Sequence, residues 1–389
     1  MKFTFHNAKP EKSTQFVAKV YDNSPFRPLP NPIGKAPYRL DIEKVIGPAP
    51  STSKMIFHAV GDTGGVKIPS EQQIVANKME EQFVAGDKPE NQPWFFYHLG
   101  DVVYYYGEES GYSSQFFEPY IHYPRPILAI PGNHDGDLDP TNPNPPTSLE
   151  AFVKVFCDTK PEHLPIGGES SRTTMIQPNV YWTLVTPLAN FIGLYSNVTS
   201  HGTIKEPQTS WFLQELKNAD DERKKSGKAV IVSLHHPVYS VDQNHGASGD
   251  MQKFLDDAFK KANVYPDIIF TAHVHNYQRF TRTLDTGIEL PYIVAGAGGY
   301  WNLHRVDTKA QPVYVPNSSF FPGVVMEEFC DDRHGFLRIT IEKNSKGRTL
   351  TGEYFTVPRP QESWSAAAQL YDYFTIDLDK HKVNNIKTK

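Results

Sequence analysis

The sequence has few cysteines, no long apolar run and no long basic run, and each scarcity excludes a class of protein. Two cysteines in 389 residues, Cys157 and Cys330, exclude a disulfide-rich scaffold and a thiolate metal cage, although one disulfide between them stays open. No run approaches the roughly 18 apolar residues of a membrane-spanning helix. With a formal net charge of -5 and no basic stretch, the composition does not favour a nucleic-acid partner or a membrane.

What is present is typical of a folded globular protein. Hydrophobic residues make up 39% of the chain and aromatic residues 13%, enough for a sizeable core. The N-terminal stretch MKFTFHNAKPEKSTQF lacks the apolar centre of a signal peptide, so the chain as given is predicted to be cytoplasmic. A secreted or periplasmic mature form would look the same, and the oligomeric state is open. The sequon Asn197-Val198-Thr199 has no secretory context and is interpreted as a chance match.

Short apolar runs alternate with amphipathic segments from residue 54 onward. Five runs suit strands buried on both faces: KMIFHAVGD, PWFFYHLGD, PILAIPGNHD, AVIVSLHHP and DIIFTAHVH. Helical patterns are predicted over 71–83, 148–156, 209–227 and 250–263. This alternation predicts an α/β fold with a mostly parallel sheet and right-handed crossovers. The segments 179–196 and 324–357 are predicted to form antiparallel hairpins.

The chain divides into three predicted parts. Residues 1–53 form a Pro-rich extension with a possible edge strand from Tyr38 to Val45. Residues 54–376 are predicted to form the main folded domain. Residues 377–389 are a polar tail that is expected to fray.

A polar cluster follows each of the five apolar runs. In open α/β sheets the carboxyl ends of the strands form the ligand-binding edge, so these clusters should converge. The side chains concerned are Asp62, Asp101, Asn133, His134, His235, His236, His273 and His275. Imidazole and carboxylate together suit zinc, iron or manganese. The set is too large for one tetrahedral ion and suits two ions that share a carboxylate, an arrangement used for phosphoryl displacement.

The motifs in series resemble those of the calcineurin-like metallophosphoesterases, and most closely their purple acid phosphatase branch. They are GDTGG (61–65), GDVVY (100–104), GNHD (132–135), HHP (235–237) and AHVH (272–275). Two features indicate the branch: Gly64 stands where much of the superfamily has a histidine ligand, and Tyr104 follows Asp101 by three residues. The resemblance implies a four-layer α/β/β/α sandwich with a dinuclear metal site at the carboxyl ends of the strands.

The resemblance also implies the ligands of both ions. The first, Fe(III), would be held by Asp62, Asp101, Tyr104 and His275. The second, which is iron, zinc or manganese, would be held by Asp101, Asn133, His235 and His273. Asp101 would bridge the two, and Tyr105 and Tyr106 would only pack.

The implied reaction is hydrolysis of a small phosphomonoester by a metal-bound hydroxide. His134, His236 and His245 are candidates for protonating the leaving group, and Asp135 would favour the charged form of the neighbouring His134. His236 has a structural alternative, and His245 could instead be a surface histidine. A phosphodiesterase or nucleotidase on the same site is the first alternative function. A non-catalytic metal-binding scaffold is the second, and it would predict a broken ligand position. His58 and His98 are interpreted as core histidines.

Overall fold

A computed structural model describes residues 29–196, 202–307 and 323–386 of the chain. The first 28 residues of the predicted extension, the sequon at 197–199, residues 308–322 and the last three residues lie outside this range.

The described residues form two β-sheets flanked by helices. The strands are β1 (Arg39–Asp41), β2 (Lys54–Val60), β3 (Pro93–His98), β4 (Ile127–Ala129), β5 (Trp182–Val185), β6 (Ala189–Gly193), β7 (Ala229–Ser233), β8 (Ile268–Thr271), β9 (Tyr277–Thr283), β10 (Glu289–Ala295), β11 (Val324–Cys330), β12 (Gly335–Asn344), β13 (Gly347–Thr356), β14 (Gln369–Asp377) and β15 (Lys382–Ile386). The α-helices are α1 (Glu43–Ile46), α2 (Pro69–Glu80), α3 (Asn133–Gly136), α4 (Glu150–Phe156), α5 (Gln208–Ser226) and α6 (Gly249–Ala262).

The five strands that carry the motifs are divided between the two sheets. An eight-stranded sheet has the order β1-β5-β6-β7-β8-β10-β9-β11, and a seven-stranded sheet has the order β15-β14-β13-β12-β2-β3-β4. The motif strands are parallel to each other within each sheet, β2 to β3 to β4 and β7 to β8. Antiparallel strands enlarge both sheets, β9 and β11 in the eight-stranded sheet and β12, β13 and β14 in the seven-stranded one. The prediction of a mostly parallel sheet was therefore wrong, whereas the antiparallel hairpin predicted within 324–357 is confirmed by β12 and β13. A tight turn joins β12 to β13, and a turn this short allows only antiparallel pairing.

The core between the sheets explains why the apolar runs are continuous. In β2, Met55, Phe57 and Ala59 face the other sheet, while Val60 belongs to the core beneath the helices. The ring of Phe57 lies 5.0 Å from that of Phe191 in the opposite sheet. Because successive side chains of a strand point to opposite faces, a strand covered on both sides needs apolar residues at every position.

The long helices cover the outer faces of the sheets. Helix α2 packs against β12, and α5 packs against β6 and β7. Helix α5 ends at Gly227, whose φ of 76° is left-handed, as the sequence predicts. Helix α6 begins after Ser248, whose hydroxyl accepts a hydrogen bond from the Met251 amide at 3.2 Å. The result is the mixed α/β two-sheet fold that the resemblance implies.

Both ends of the described chain add strands to the sheets. The predicted edge strand is confirmed at Arg39–Asp41, where β1 runs parallel to β5, but the chain continues as the helical turn α1 rather than as strand up to Val45. The expectation that the tail frays is wrong for 382–386, because β15 pairs with β14. Glu289 holds this strand by accepting hydrogen bonds from the Val383 amide and from Lys382 Nζ, both at 2.8 Å. The domain divisions themselves stay predictions.

Several smaller expectations are decided by burial. Cys157 and Cys330 are both buried free thiols, so the disulfide left open by the sequence does not form. His58 is fully buried, with Nδ1 3.0 Å from the Tyr123 hydroxyl and Nε2 3.1 Å from Gln82 Oε1, as expected of a core histidine. His98 is equally buried, beside Thr63 Oγ1 at 2.8 Å. No described helix combines the length and the apolar character that a membrane crossing requires.

Candidate metal centre

The seven predicted ligands lie where the carboxyl ends of the two parallel strand groups face each other. Asp62, Asp101 and Asn133 follow β2, β3 and β4, while the three histidines follow β7 and β8. Asp62, Asp101 and His273 have left-handed backbones, with φ of 55°, 54° and 69°. This conformation is uncommon outside glycine and clusters at functional sites. At these positions it turns the chain sharply as the strand ends.

One group of side chains, the Tyr104 cluster, consists of Asp62, Tyr104 and His275. The Tyr104 hydroxyl donates to Asp62 Oδ1 at 3.1 Å, and His275 Nε2 lies 3.5 Å from both of these oxygens. His275 Nδ1 lies 3.0 Å from the Asn302 carbonyl, which makes Nδ1 the protonated nitrogen and leaves the Nε2 lone pair facing the cluster. All three side chains are buried, so two oxygens and one nitrogen converge on one point.

A second group, the His235 cluster, consists of Asp101, Asn133, His235 and His273. Ligand atoms of Asp101, His235 and His273 all lie within 4.8 Å of one another. Four buried atoms of this cluster make no hydrogen bond to a described residue outside it: Asp101 Oδ2, Asn133 Oδ1, His235 Nε2 and His273 Nε2. Within the cluster, His235 Nε2 and Asp101 Oδ2 lie 3.3 Å apart. Buried polar atoms without partners are costly, so four of them converging in one place fit a bound cation.

Hydrogen bonds from outside the two clusters fix the orientation of the ligands. His235 Nδ1 lies 2.9 Å from the Leu99 carbonyl, so Nε2 is turned toward Asp101. Asp101 Oδ1 accepts from the His134 amide at 2.9 Å, which leaves Oδ2 for the His235 cluster. Asp62 Oδ2 accepts from the His273 amide at 2.7 Å. Such bonds set the tautomer and the direction of a metal ligand before the metal arrives.

Burial determines the protonation states of several ligands. It lowers the pKa of His273 and that of His275 well below the ordinary value, so both rings are neutral, as ligation requires. Burial raises the pKa of the Tyr104 phenol well above its usual range, and the nearby Asp101 and Asp62 carboxylates add to this. The phenol therefore stays protonated unless a cation binds it. Burial opposes a proton on His235, but Asp101 and Asp62 raise its pKa to about 9.

Gly64 leaves the room that the Tyr104 ring occupies. A Cβ placed at position 64 would overlap the Tyr104 ring and would lie 2.5 Å from Gln115 Oε1. Gln115 also holds the tyrosine backbone, since Oε1 accepts from the Tyr104 amide and Nε2 donates to the Tyr104 carbonyl, each at 2.9 Å. A side chain at 64 and the ring of Tyr104 therefore exclude each other in this structure. Tyr105, in contrast, is half-buried, and its ring makes an edge contact with Tyr300.

The predicted catalytic histidines surround the clusters in three different settings. His134 is half-buried, its Nδ1 lies 2.8 Å from the Tyr105 carbonyl, and its ring centre lies 4.4 Å from that of Tyr104. His236 is fully buried, with Nδ1 2.7 Å from the Ser196 hydroxyl. The ring of His245 is 4.5 Å from that of His273, and burial lowers the pKa of His245 to about 4.

Asp135 is brought to the site but not onto the His134 ring. Its Oδ1 accepts hydrogen bonds from the amides of Val102 and Val103 at 3.0 and 3.2 Å, and Oδ2 accepts from the Gly132 amide at 2.8 Å. It thereby ties the loop after β3 to the loop after β4. The expectation that Asp135 acts on the neighbouring imidazole does not match these bonds, because successive residues at the start of α3 point in different directions.

The sequence-based reasoning missed three residues at the site. The ring of Tyr300 stacks on that of Tyr104 at 4.2 Å. His304 lies 4.3 Å from the His275 ring, and its Nδ1 is 3.4 Å from Asp242 Oδ1. A weak signal existed, since Tyr300 directly follows the glycine-rich AGAGG stretch. Nothing local marks Asp242 or His304.

Comparisons with known proteins agree with this fold and site. The sequence model described as calcineurin-like phosphoesterase matches residues 55–277. Purple acid phosphatase 21 of Arabidopsis thaliana is 27% identical over 181 residues, which are 45% of this chain and 36% of that protein. Purple acid phosphatase 15 of the same plant is 23% identical over 209 residues, 53% of this chain and 35% of that protein. The match thus spans about a third of the length of these relatives.

Two solved structures have similar folds. The structure of PhoD matches with a TM-score of 0.55 at 14% identity, and the match covers 93% of this chain and 74% of the PhoD chain. GAP50, described as the anchor in the inner membrane complex of Plasmodium, matches with a TM-score of 0.51 at 16% identity. This match covers 87% of the present chain and 90% of the GAP50 chain. At these identities the likeness concerns the fold alone.

Proposed function

Because the chain belongs to the calcineurin-like phosphoesterase family, we propose that it hydrolyses phosphomonoesters at a dinuclear metal centre, as a purple acid phosphatase does. The observation that carries the proposal is the convergence of the two clusters. Four buried metal-ligand atoms of the His235 cluster make no hydrogen bond to a described residue outside the cluster. The plant relatives named above support the branch, and so does the mutual exclusion of a side chain at 64 and the Tyr104 ring.

The two clusters divide the ligands between the ions. The Tyr104 cluster with Asp101 offers two carboxylates, a phenol and one imidazole, a hard and anionic set that suits Fe(III). The His235 cluster offers one carboxylate, an amide oxygen and two imidazoles, which suit divalent iron, zinc or manganese. When bound, such ions supply an activated water and neutralise the phosphate oxygens.

The histidines around the two clusters bind the substrate and supply a proton to the leaving group. His134 and His245 are both half-buried, and of the three histidines His134 is the one whose Nδ1 is held by a backbone carbonyl, at Tyr105. In its protonated form it carries the second proton on Nε2, where a leaving alkoxide can accept it. His236, fully buried against Ser196, supports the wall near His273. His245 contacts His273 and His304 and lines the same wall.

The proposal is tested by metal analysis of the purified protein combined with a panel of phosphoesters across pH. We expect two metal ions per chain and turnover of aryl and alkyl monoesters at least tenfold above that of the matched diesters. Preferred cleavage of diesters would replace the proposal with the phosphodiesterase alternative. Two bound ions without turnover of any ester would favour the scaffold alternative.

A nucleotide preference has one observation in its favour. Trp301 lies beside Tyr300, and Lys67 Nζ lies 3.7 Å from the Trp301 ring centre. An aromatic ring and a cation near the site can bind a base and a phosphate. The aromatic rings of the segment 107–120 are no alternative platform for a base, because Tyr112, Phe116 and Phe117 are buried in the core. If this preference exists, Trp301→Ala should lower kcat/KM for nucleoside monophosphates. The same change should leave kcat/KM for a small aryl phosphate unaltered.

A further inference from the structure

A cavity of about 510 Å³ lies at the opposite end of β4 from the metal centre. Its lining includes the stretch 121–126, which precedes β4, whereas Asn133 follows β4. The stretch 171–176, Lys44 and Pro161 complete most of the wall. A volume of this size is typical of small-molecule sites. The cavity is therefore separate from the metal centre and takes no part in the proposed reaction.

The charged side chains in the wall of this cavity are all basic. They are Lys44, Arg125 and Arg172, with His122 beside them, and the lining contains no aspartate or glutamate. Among the described residues, neither arginine forms an ion pair with a carboxylate. A concave surface with one sign of charge attracts small ions of the other sign.

The Arg172 guanidinium is fixed in place without being neutralised. Its Nε donates to the Tyr120 carbonyl at 2.9 Å, Nη1 donates to the Arg125 carbonyl at 3.1 Å, and Nη2 donates to the Tyr123 carbonyl. Burial lowers the pKa of Arg172 to about 10, which still leaves the group charged at neutral pH. Carbonyl oxygens accept from one N–H of each nitrogen, which leaves the second N–H of Nη1 and of Nη2 for a ligand, and they carry no net charge to offset that of the guanidinium.

Arg125 has donor capacity left over. Its Nε is buried and has no hydrogen-bond partner among the described residues. Its Nη2 makes one long hydrogen bond, 3.4 Å, to Gln92 Oε1. A buried guanidinium donor without a partner is costly, and a bound anion removes that cost. Ser171 and Thr173 add hydroxyl-bearing side chains to the same wall.

From this arrangement we infer that the Arg125–Arg172 cavity is a second, non-catalytic site for the phosphate group of a small soluble molecule. Two planar guanidinium groups with a nearby ammonium are the donor set that proteins use for doubly charged oxyanions. A single carboxylate would leave part of this charge unmatched. The concave shape favours a small molecule over a flat lipid surface.

The test is calorimetric titration of inorganic phosphate into the holoprotein. The wild type should show two classes of site, one at the metal centre and one at the cavity. Arg125→Gln should lose the cavity class, with affinity falling at least tenfold, while turnover of phosphoesters stays unchanged. Lys44→Gln, at an exposed position, should weaken the same class about threefold. Lys346→Gln, the same charge change at the exposed β12–β13 turn and outside the cavity lining, should alter neither class.

A metal-centre variant separates this inference from the proposed function. His235→Ala should remove the other class and leave the Arg125-dependent class intact. The inference is overturned if Arg125→Gln binds phosphate as the wild type does, if Lys346→Gln weakens binding equally, or if acetate competes as well as sulfate does. Failure of the protein to hydrolyse any ester would overturn the proposed function and leave these titrations unaffected.

Discussion

The hydroxyl of Tyr104 lies 3.1 Å from Oδ1 of Asp62, although 42 positions separate the two residues in the chain. They meet because β2 and β3 are parallel neighbours, so the loops that follow them emerge at the same edge of the sheet. Burial and the two nearby carboxylates raise the pKa of this phenol, so the metal-free protein keeps its proton. Ionisation of Tyr104 therefore reports direct binding to a cation.

The first prediction concerns colour. Protein reconstituted with iron under air should be pink or purple through charge transfer from the Tyr104 phenolate to Fe(III). Tyr104→Phe should erase this absorption band and weaken ferric binding, because the ring stays while the ligand oxygen is lost. The visible spectrum and the iron content of both proteins check the prediction.

Tyr105→Phe and Tyr106→Phe are the matched controls for the colour test, and both should keep the band. A colourless wild type with stoichiometric iron in the site would defeat the assignment of Tyr104 as a ligand.

The second prediction concerns two predicted metal ligands of the His235 cluster, Asn133 and His235. Asn133→Ala and His235→Ala should lower the metal affinity roughly a hundredfold or more and abolish turnover. The fold should persist, because Asn133 Oδ1 and His235 Nε2 make no hydrogen bond to the described residues. His235→Ala gives up one further contact, that of Nδ1 with the Leu99 carbonyl. Circular dichroism and metal analysis check this, and an unfolded Asn133→Ala protein would contradict it. Removal of metal from the wild type by a chelator should lower Tm, since the ions bind only the folded chain.

The third prediction concerns the proton for the leaving group. His134→Ala should slow hydrolysis of alkyl phosphates by a factor of about 10² to 10⁴, and that of an activated aryl phosphate far less. An activated leaving group departs as an anion and does not need the proton. Steady-state kinetics with both esters measure the ratio. Equal losses would remove His134 from the acid role, and His245→Ala would be the next variant to measure.

The fourth prediction concerns an ion pair that joins the two sheets. Arg279 in β9 bonds Asp372 in β14 through Nε–Oδ2 at 2.7 Å and Nη2–Oδ1 at 2.9 Å, and the Tyr277 hydroxyl donates to Asp372 Oδ2 at 2.6 Å. Asp372→Ala should destabilise the protein by about 3 kcal/mol, because it leaves a buried guanidinium unpaired.

Two controls accompany the Asp372 variant in denaturant unfolding. The double variant Arg279→Met with Asp372→Leu should lose less stability than the two single variants, Arg279→Met and Asp372→Leu, lose when their losses are added. Asp257→Ala breaks the exposed Lys253–Asp257 pair on α6 and should leave the stability unchanged. Purely additive losses at Arg279 and Asp372 would show that the pair is not coupled.

The fifth prediction concerns pH and Glu71. Burial raises the pKa of this carboxyl from 4.5 to about 7. The folded protein thus holds the proton more tightly than the unfolded chain does, so stability falls as pH rises from about 4.5 to 7 and stays reduced above that. Glu71→Gln lacks this loss and should be more stable than wild type at pH 8, by about 1 kcal/mol after allowance for solvent screening.

The difference between Glu71→Gln and wild type should vanish at pH 4, where both side chains are neutral. Glu169→Gln, at an exposed position, is the matched control and should show no such pH dependence. A stability gain for Glu71→Gln that is the same at pH 4 and pH 8 would point to packing rather than to titration.

The sequence by itself determined the strands that carry the motifs and the residues at their carboxyl ends. A strand covered on both faces needs an unbroken apolar run, as in Met55 to Val60, and a polar ligand can appear only where that run stops. Asp62 and His235 are therefore visible in the sequence, and so is the hairpin of β5 and β6. These signals are local, and each depends on a few neighbouring residues.

Tertiary structure alone decided how those pieces are joined. The apolar runs do not show how the motif strands are divided between two sheets, because the motif strands of both sheets have the same unbroken apolar run. Asp135 turned to backbone amides, and Tyr300 and His304 reached the site from a later loop. The tail strand β15 and the presence of Arg125 and Arg172 in the wall of one cavity likewise depend on contacts between distant segments. Such contacts have no period along the chain, so only the folded molecule fixes them.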